Sequence, residues 1–461
     1  MRVHVTGGLI CGITGLLLAA GPSWAQQQQQ AQKPQSKQEK PQQQTTVENQ
    51  FGWSVDVGAE RSDNIARTDT DELDETTGIL GLGLNIISER PRLSTNISGD
   101  LEYRDYLDRE FESEISGGLD GRVAAYFIPE RFYWVVEDNY GQIALNRQVA
   151  DTPGNRQQIN YLSTGPELSI PFGARTALLL GARWTDTYLE ESIEDNNATI
   201  ANASLVRQFT DVASVSLDTS ASKTEFDEDQ LFPEYETRQA SLGYQLRAPK
   251  TTLLADVGYM KYEQKGLNPV EEEFVLARID FSRQITRRTT LRIAGGTRPS
   301  STGENFRRDQ SIIGIGDGAE AAQAAADIFR ADDAYVSWST LYDRSSVEFV
   351  VSGRREQHEV IVSLDREQYR GLVNYERRIT PNTTVDLAGG YLQEERTQTG
   401  FQFDEWFAGV EFEWQLSERF SLNSRIYHSV GSSDDGSRDY TENRAYIGIR
   451  YSGGQNGGRN R

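Results

Sequence analysis

Residues 405–416 read EWFAGVEFEWQL, and apolar and polar side chains alternate along this stretch with a period of two. The apolar series is Trp406, Ala408, Val410, Phe412, Trp414 and Leu416, and the opposing series is Glu405, Gly409, Glu411, Glu413 and Gln415. Successive side chains of a β-strand point to opposite faces, so the pattern predicts a strand with one apolar and one wet face. The same period begins abruptly at Phe51 and recurs to the end of the chain.

The connections between these segments alternate between two kinds. One kind is short, as in Ile128-Pro129-Glu130, whereas the other is longer and polar, as in residues 61–77 and 146–156. Nine short turns separate ten hairpins. The predicted fold class is therefore all-β: an antiparallel transmembrane β-barrel of about 20 strands, with short periplasmic turns and longer extracellular loops.

A soluble sandwich also alternates, but three features favour a barrel in the outer membrane of a Gram-negative bacterium. The strands suit the roughly 9–11 tilted residues that cross hydrocarbon. Aromatic residues lie near strand ends, as interfacial girdles require. The last segment, residues 444–451, alternates and ends on Tyr451, and it resembles the C-terminal signal by which the outer-membrane assembly machinery recognises its clients.

The two ends differ from the middle of the chain. Residues 1–25 combine Arg2, an apolar run and a small-residue site ending at Ala25, which predicts a secretory signal peptide. Residues 26–50 are a Gln-rich stretch with almost no apolar side chain, so a disordered periplasmic segment is expected. The barrel is predicted over residues 51–452, and residues 453–461 are expected to form a flexible tail.

Composition excludes several functions. The formal net charge of −22 opposes contact with nucleic-acid phosphate. The only cysteine, Cys11, lies in the signal peptide, so no thiolate site is expected in the mature chain. No cofactor and no metal site is predicted, because the acidic loop 69–75 lacks the glycine and glutamate spacing of a calcium-binding loop.

Enzymatic activity is not expected. The mature chain has two histidines, His358 and His428. Membrane-barrel lipid hydrolases place a histidine and a serine two residues apart on one strand face, whereas Ser429 adjoins His428 and must point to the opposite face. His358 is expected on a solvated loop shoulder.

Strand parity identifies candidate pore-lining side chains on the wet face. They are Arg278, Arg292, Arg354, Arg425, Arg444, Arg450, Asp256, Glu411 and Glu413. Loop 298–332 differs from the other loops, since residues 318–329 are rich in alanine and too apolar for a free loop. It either folds into the outer mouth and narrows the pore or lies across neighbouring loops.

Several diffuse motifs resemble outer-membrane β-barrel porins encoded with exopolysaccharide and PEP-CTERM gene clusters. They are QITRRTT at residues 284–290, RITPNTT at 378–384, FYWVVED at 132–138 and ENR at 442–444. The resemblance implies export of surface polysaccharide, and lumen arginines would suit an acidic chain. The alternatives are a general or sugar-selective diffusion porin, or a structural or adhesive barrel. Expected partners are outer-membrane lipids, lipopolysaccharide and the assembly machinery, with polysaccharide and periplasmic export proteins as further candidates.

Overall fold

The computed structural model describes residues 49–146, 149–191, 195–227, 233–266, 269–300, 306, 329–358 and 362–456. It contains one antiparallel sheet of twenty strands. The strands are β1 (Gln50–Ser62), β2 (Glu75–Arg90), β3 (Leu93–Tyr106), β4 (Glu114–Ile128), β5 (Phe132–Ala144), β6 (Arg156–Pro171), β7 (Thr176–Leu189), β8 (Asn196–Thr210), β9 (Ala213–Phe226), β10 (Tyr235–Ala248), β11 (Thr251–Gln264), β12 (Val270–Gln284), β13 (Thr289–Ser300), β14 (Phe329–Leu341), β15 (Ser345–His358), β16 (Arg366–Thr380), β17 (Thr383–Arg396), β18 (Gln402–Gln415), β19 (Phe420–Ser433) and β20 (Tyr440–Asn456).

Closure of the sheet occurs between the first and the last strand. β1 pairs with β20 along its whole length, from Gln50 opposite Asn456 to Ser62 opposite Arg444. Every other strand pairs with its sequence neighbours, so no strand edge is left open. The predicted barrel and strand number are confirmed. β20 runs to Asn456, four residues beyond the bound predicted at residue 452.

The two faces of the sheet have the reverse polarity of a water-soluble protein. Outward-facing Leu82, Val275 and Val351 are more than half exposed, whereas inward-facing Thr77 and Glu356 are buried. All six tryptophans after residue 25 occupy outward-facing positions: Trp53, Trp134, Trp338 and Trp414 in the periplasmic half of their strands, and Trp184 and Trp406 in the extracellular half. An apolar exterior between aromatic girdles places this barrel in the outer membrane.

The connections follow the predicted alternation. The periplasmic turns are tight: the chain turns between β4 and β5 at Glu130, whose φ is 61°, and between β6 and β7 at Gly173, whose φ is 76°. The extracellular connections include the short 3-10 helices Pro153–Asn155 and Val362–Leu364. Among the described residues, no helix has the length and apolar character needed to cross a membrane.

The outward face predicts a position-dependent response to charge. Leu242 lies at the middle of β10 and is exposed on the lipid side. Leu242→Arg is expected to lower the free energy of unfolding from lipid vesicles by about 2–4 kcal/mol, because the cation would sit in hydrocarbon. The matched control is Gln239→Arg, three residues away on the inward face of the same strand. Equal losses for both variants in urea titrations would contradict the assignment of the faces.

Candidate functional site: the inner wall and the outer mouth

The nine residues predicted to line a pore all occupy inward-facing positions. Asp256 is opposite Arg278 across β11 and β12, and Glu411 is opposite Arg425 across β18 and β19. The remaining five inward positions follow from strand alternation: Arg292, Arg354, Glu413, Arg444 and Arg450. That these side chains line a conducting pore stays a prediction.

Ion pairs neutralise the six arginines that were predicted to line a pore. Arg278 Nη2 lies 2.7 Å from Asp256 Oδ1, and the other five arginines have partners that sequence parity did not single out. The pairs are Arg292 with Asp280 at 2.8 Å, Arg354 with Glu356 at 2.8 Å, Arg425 with Glu60 at 3.8 Å, Arg444 with Glu442 at 2.5 Å and Arg450 with Asp56 at 2.8 Å. The inner wall at these positions therefore carries paired charges in place of isolated cations.

Carboxylates form a row on the inner wall of β16, β17 and β18. Glu376 is opposite Asp386, and Asp386 is opposite Glu411, so three acidic side chains stand side by side at one height. Like charges directly opposite each other destabilise a sheet, and here Arg425 compensates only at the β19 end of the row. Within the described ranges, no three acidic, histidine or cysteine side chains are arranged to hold a metal ion.

The loop between β1 and β2 folds inward and carries a buried arginine to the outer mouth, by which we mean the inward-facing side chains and loops at the extracellular rim. Asn64 is fully buried, and its Nδ2 donates to the carbonyl oxygens of Thr68 at 2.7 Å and Thr441 at 3.0 Å. Beyond it the chain turns at Arg67, whose φ is 51° and whose backbone N–H donates to the Asn64 carbonyl oxygen at 3.1 Å. The loop is thereby fixed to β20.

Arg67 links this loop to two distant parts of the barrel. Its Nε lies 3.0 Å from Glu442 Oε2, its Nη1 lies 3.9 Å from Asp151 Oδ2, and its guanidinium carbon lies 5.2 Å from the centre of the Tyr440 ring. Burial by itself lowers the pKa of this group, but Tyr440 and the carboxylates of Glu405, Glu442 and Asp151 together hold the pKa of Arg67 above its ordinary value. Arg67 is thus a permanent cation that joins β20 to the β5–β6 loop.

Phe306 brings a third connection into the mouth. It follows β13 in the chain, yet it is buried against four inward-facing side chains of β5, β6 and β7, namely Ile143, Ile159, Tyr161 and Leu189. Of the two arrangements expected for loop 298–332, this residue supports the one that folds into the mouth. The alanine-rich residues 318–328 lie outside the described residues.

The two histidines occupy different environments. His358 is buried on the inner face and stacks on Phe329 with ring centroids 4.8 Å apart, so the expected solvated loop position was wrong. His358 is the last residue of β15, because the alternation of inward-facing and outward-facing side chains continues to this position. His428 faces outward beside Trp406, at 5.0 Å between centroids, while Ser429 lies on the inner face, as predicted from their adjacency.

No protein-family model and no curated protein matches this sequence. Several solved structures are similar to it. A double mutant of the ferric enterobactin receptor PfeA from Pseudomonas aeruginosa is 8% identical, with 88% of this chain and 80% of that chain covered and a TM-score of 0.49. The siderophore receptor PirA from Acinetobacter baumannii is 9% identical, with 89% of this chain and 81% of that chain covered and a TM-score of 0.47. The FrpB iron transporter (F3-3 variant) from Neisseria meningitidis is 8% identical, with 87% of this chain and 81% of that chain covered and a TM-score of 0.43. At this level of similarity nothing about ligand or activity carries over.

Removing the buried cation tests the role of the β1–β2 loop. Arg67→Met keeps most of the side-chain volume but leaves Glu442 and Asp151 with one cation fewer in a buried site, so the free energy of unfolding is expected to fall by about 3 kcal/mol. Arg61→Met is the matched control, since Arg61 is half exposed and its pairs with Asp74 and Asp108 contribute little. Equal stability of the two variants in urea titrations would contradict the proposed link.

Phe306 generates a prediction about ion flow. Burial of a phenyl ring against apolar neighbours contributes about 3 kcal/mol, so Phe306→Ala is expected to release this contact. Single-channel conductance in a planar bilayer should become higher and noisier than that of the parent protein. Phe127→Ala, which removes a ring on the outward face, serves as control. A current trace indistinguishable from the parent would show that Phe306 does not restrict the mouth.

Proposed function

We propose that this barrel is an outer-membrane conduit for large polar solutes, and that the solute it transports in the cell is surface polysaccharide. The strand number supports the first part, because barrels of roughly 16–18 strands already enclose an aqueous channel. The inner wall supports it as well, since mid-strand charges such as Asp256, Arg278 and Glu411 lie on the inner face, whereas mid-strand outward residues such as Leu82, Leu242 and Val257 are apolar and more than half exposed. The polysaccharide part rests on the sequence motifs that resemble exopolysaccharide-associated porins.

The observation that carries the proposal is the distribution of charge on the inner wall, where the arginines are paired and further carboxylates are present. Each of the six candidate arginines has a carboxylate partner, and β18 alone adds Glu405, Glu411 and Glu413 with no inward-facing base of its own. Rings and rows of carboxylates favour cations in channels. An acidic chain, which the arginines suggested at first, would meet repulsion along this wall. We therefore propose that the transported solute is a neutral polysaccharide, or a charged one whose charge is neutralised by accompanying cations.

A diffusion porin for smaller sugars is the second candidate. The outer mouth favours it, because Arg67 and Phe306 place side chains from two loops against the β5–β7 side of the lumen. A narrowed mouth passes small solutes more readily than a polymer. The two candidates differ in whether oligosaccharides of increasing length are transported or merely block the channel.

Ion selectivity tests the charge balance directly. In a planar bilayer with a KCl gradient, the reversal potential is expected to show preference for K⁺ over Cl⁻. Neutralising two members of the row with Asp386→Asn and Glu376→Gln should reduce this preference several-fold, while Arg425 keeps Glu60 and Glu411 as neighbours. The control is Glu395→Gln on the outward face of β17.

The outcomes separate the alternatives. Anion preference, or a reversal potential that the double variant leaves unchanged, would overturn the proposed role of the acidic row. Block of the current by neutral oligosaccharides, stronger than block by acidic ones of equal length, would support passage of a neutral chain. A folded barrel without conductance would instead favour the structural or adhesive role.

A further inference from the structure

The outward face of β9 to β12 becomes charged at its extracellular end. Three of the four lysines between residues 51 and 452 are found here, the fourth being Lys250 in a periplasmic turn. The charged group consists of Lys223, Glu225, Glu234, Glu236, Arg238, Lys261, Glu263, Lys265, Glu271 and Glu273, and we call it the rim patch. Because these side chains face away from the lumen, the patch has no direct part in conduction.

Two cations stand directly opposite each other at the membrane side of the rim patch. Arg238 on β10 is the register partner of Lys261 on β11, an arrangement that is unfavourable unless an anion lies between the two charges. The Arg238 side chain is 65% exposed and the Lys261 side chain 33% exposed. The charged groups of both side chains are therefore accessible to a ligand on the outer surface.

The protein carboxylates that pair with these cations lie further toward the extracellular side. Arg238 Nη2 is 3.3 Å from Glu236 Oε2, and Lys261 Nζ is 2.6 Å from Glu263 Oε1 and 2.7 Å from Glu271 Oε1. Glu273, the register neighbour of Lys261 on β12, bonds to the Tyr259 hydroxyl. Glu236, Glu263 and Glu271 hold the two cations from the extracellular side, and Glu273 lies level with Lys261 on its β12 side. The side open to another anion is therefore that of the exposed Arg238 guanidinium, above the small side chain of Ala221.

The surface directly below the cation pair is apolar and shallow. Ala240 and Tyr259 come next on the outward face, followed by Leu242 and Val257, which are more than half exposed. Ala221 is beside Arg238 across β9 and β10. The small side chains of Ala221 and Ala240 leave room for a hydrocarbon chain against the wall, beside the Tyr259 ring. Phosphate above and acyl chain below is the chemistry of a phosphorylated membrane lipid.

We propose that the rim patch binds the lipid A part of lipopolysaccharide, with one phosphate between Arg238 and Lys261 and an acyl chain over Ala240, Leu242 and Val257. The extracellular ends of the strands lie in the outer leaflet, where lipopolysaccharide supplies the phosphorylated lipid. Basic residues at such a boundary attract anionic head groups, and each contributes about a fivefold factor in affinity. The glutamates of the rim patch complement the divalent cations that accompany lipopolysaccharide.

Native mass spectrometry of the detergent-purified mature barrel, titrated with bisphosphorylated lipid A, tests the site. The double variant R238Q/K261Q is expected to bind lipid A roughly thirtyfold more weakly than the parent. The matched control is Arg355→Gln, which also removes an outward-facing, ion-paired arginine near the extracellular end of a strand. The variant R238K/K261R keeps both charges and is expected to bind like the parent, which separates loss of the site from misfolding.

Titrations with two further lipids identify which lipid the site binds. Dephosphorylated lipid A should bind no better to the parent than to R238Q/K261Q, because the cation pair then has no phosphate to contact. Phosphatidylglycerol should bind the parent more weakly than lipid A does. Equal binding of lipid A by the parent and R238Q/K261Q would overturn the site, and equal binding of phosphatidylglycerol and lipid A would overturn the assignment to lipopolysaccharide.

Discussion

Backbone amides and carbonyls have no water to bind in hydrocarbon, and each one left unpaired costs several kcal/mol. A sheet can meet this constraint only by closing on itself, and here the closing seam joins residues that are between 382 (Ser62 and Arg444) and 406 (Gln50 and Asn456) positions apart in the chain. Strand β20 covers all of β1, from Gln50 to Ser62, so the N-terminal strand is paired on both sides. Closure then divides every side chain between two environments, and this division determines where polarity, aromatic rings and charge can lie.

Strand alternation allowed much of this to be predicted from the sequence. One parity carries the tryptophans, and mid-strand charges such as Glu411 fall on the other, so the face of residues such as Trp406 and Glu411 follows from counting alone. Turn residues marked nearly every boundary, which gave the strand number. The end of β20 was harder to predict, since Gly453 and Gly454 look like tail residues, although a strand partner extends the pairing to Asn456.

The contacts at the outer mouth could not be predicted in the same way. Arg67 and Phe306 belong to connections, where no period assigns a direction, and their partners lie on strands far away in the sequence. Glu60 illustrates the same limit within strands: its inward face is predictable, but its pairing with both Arg104 and Arg425 depends on how the seam brings β19 near β1 and β3. His358 was misplaced because residues 356–366 lack a clear turn, and β15 continues further than the composition suggests.

Ion pairing on the inner wall bears on how a long solute could move. A lumen lined by isolated charges would hold an oppositely charged polymer at many points at once, and conduction requires that binding be weak enough for release. Pairs such as Arg278–Asp256 and Arg292–Asp280 present local dipoles and keep the wall hydrated without a strong fixed site. The row formed by Glu376, Asp386 and Glu411 then adds a modest negative field on one side of the barrel. A wall of this kind would hydrate a polar chain along its length without a strong fixed binding site, which is the property that the proposed conduit for a neutral polymer requires.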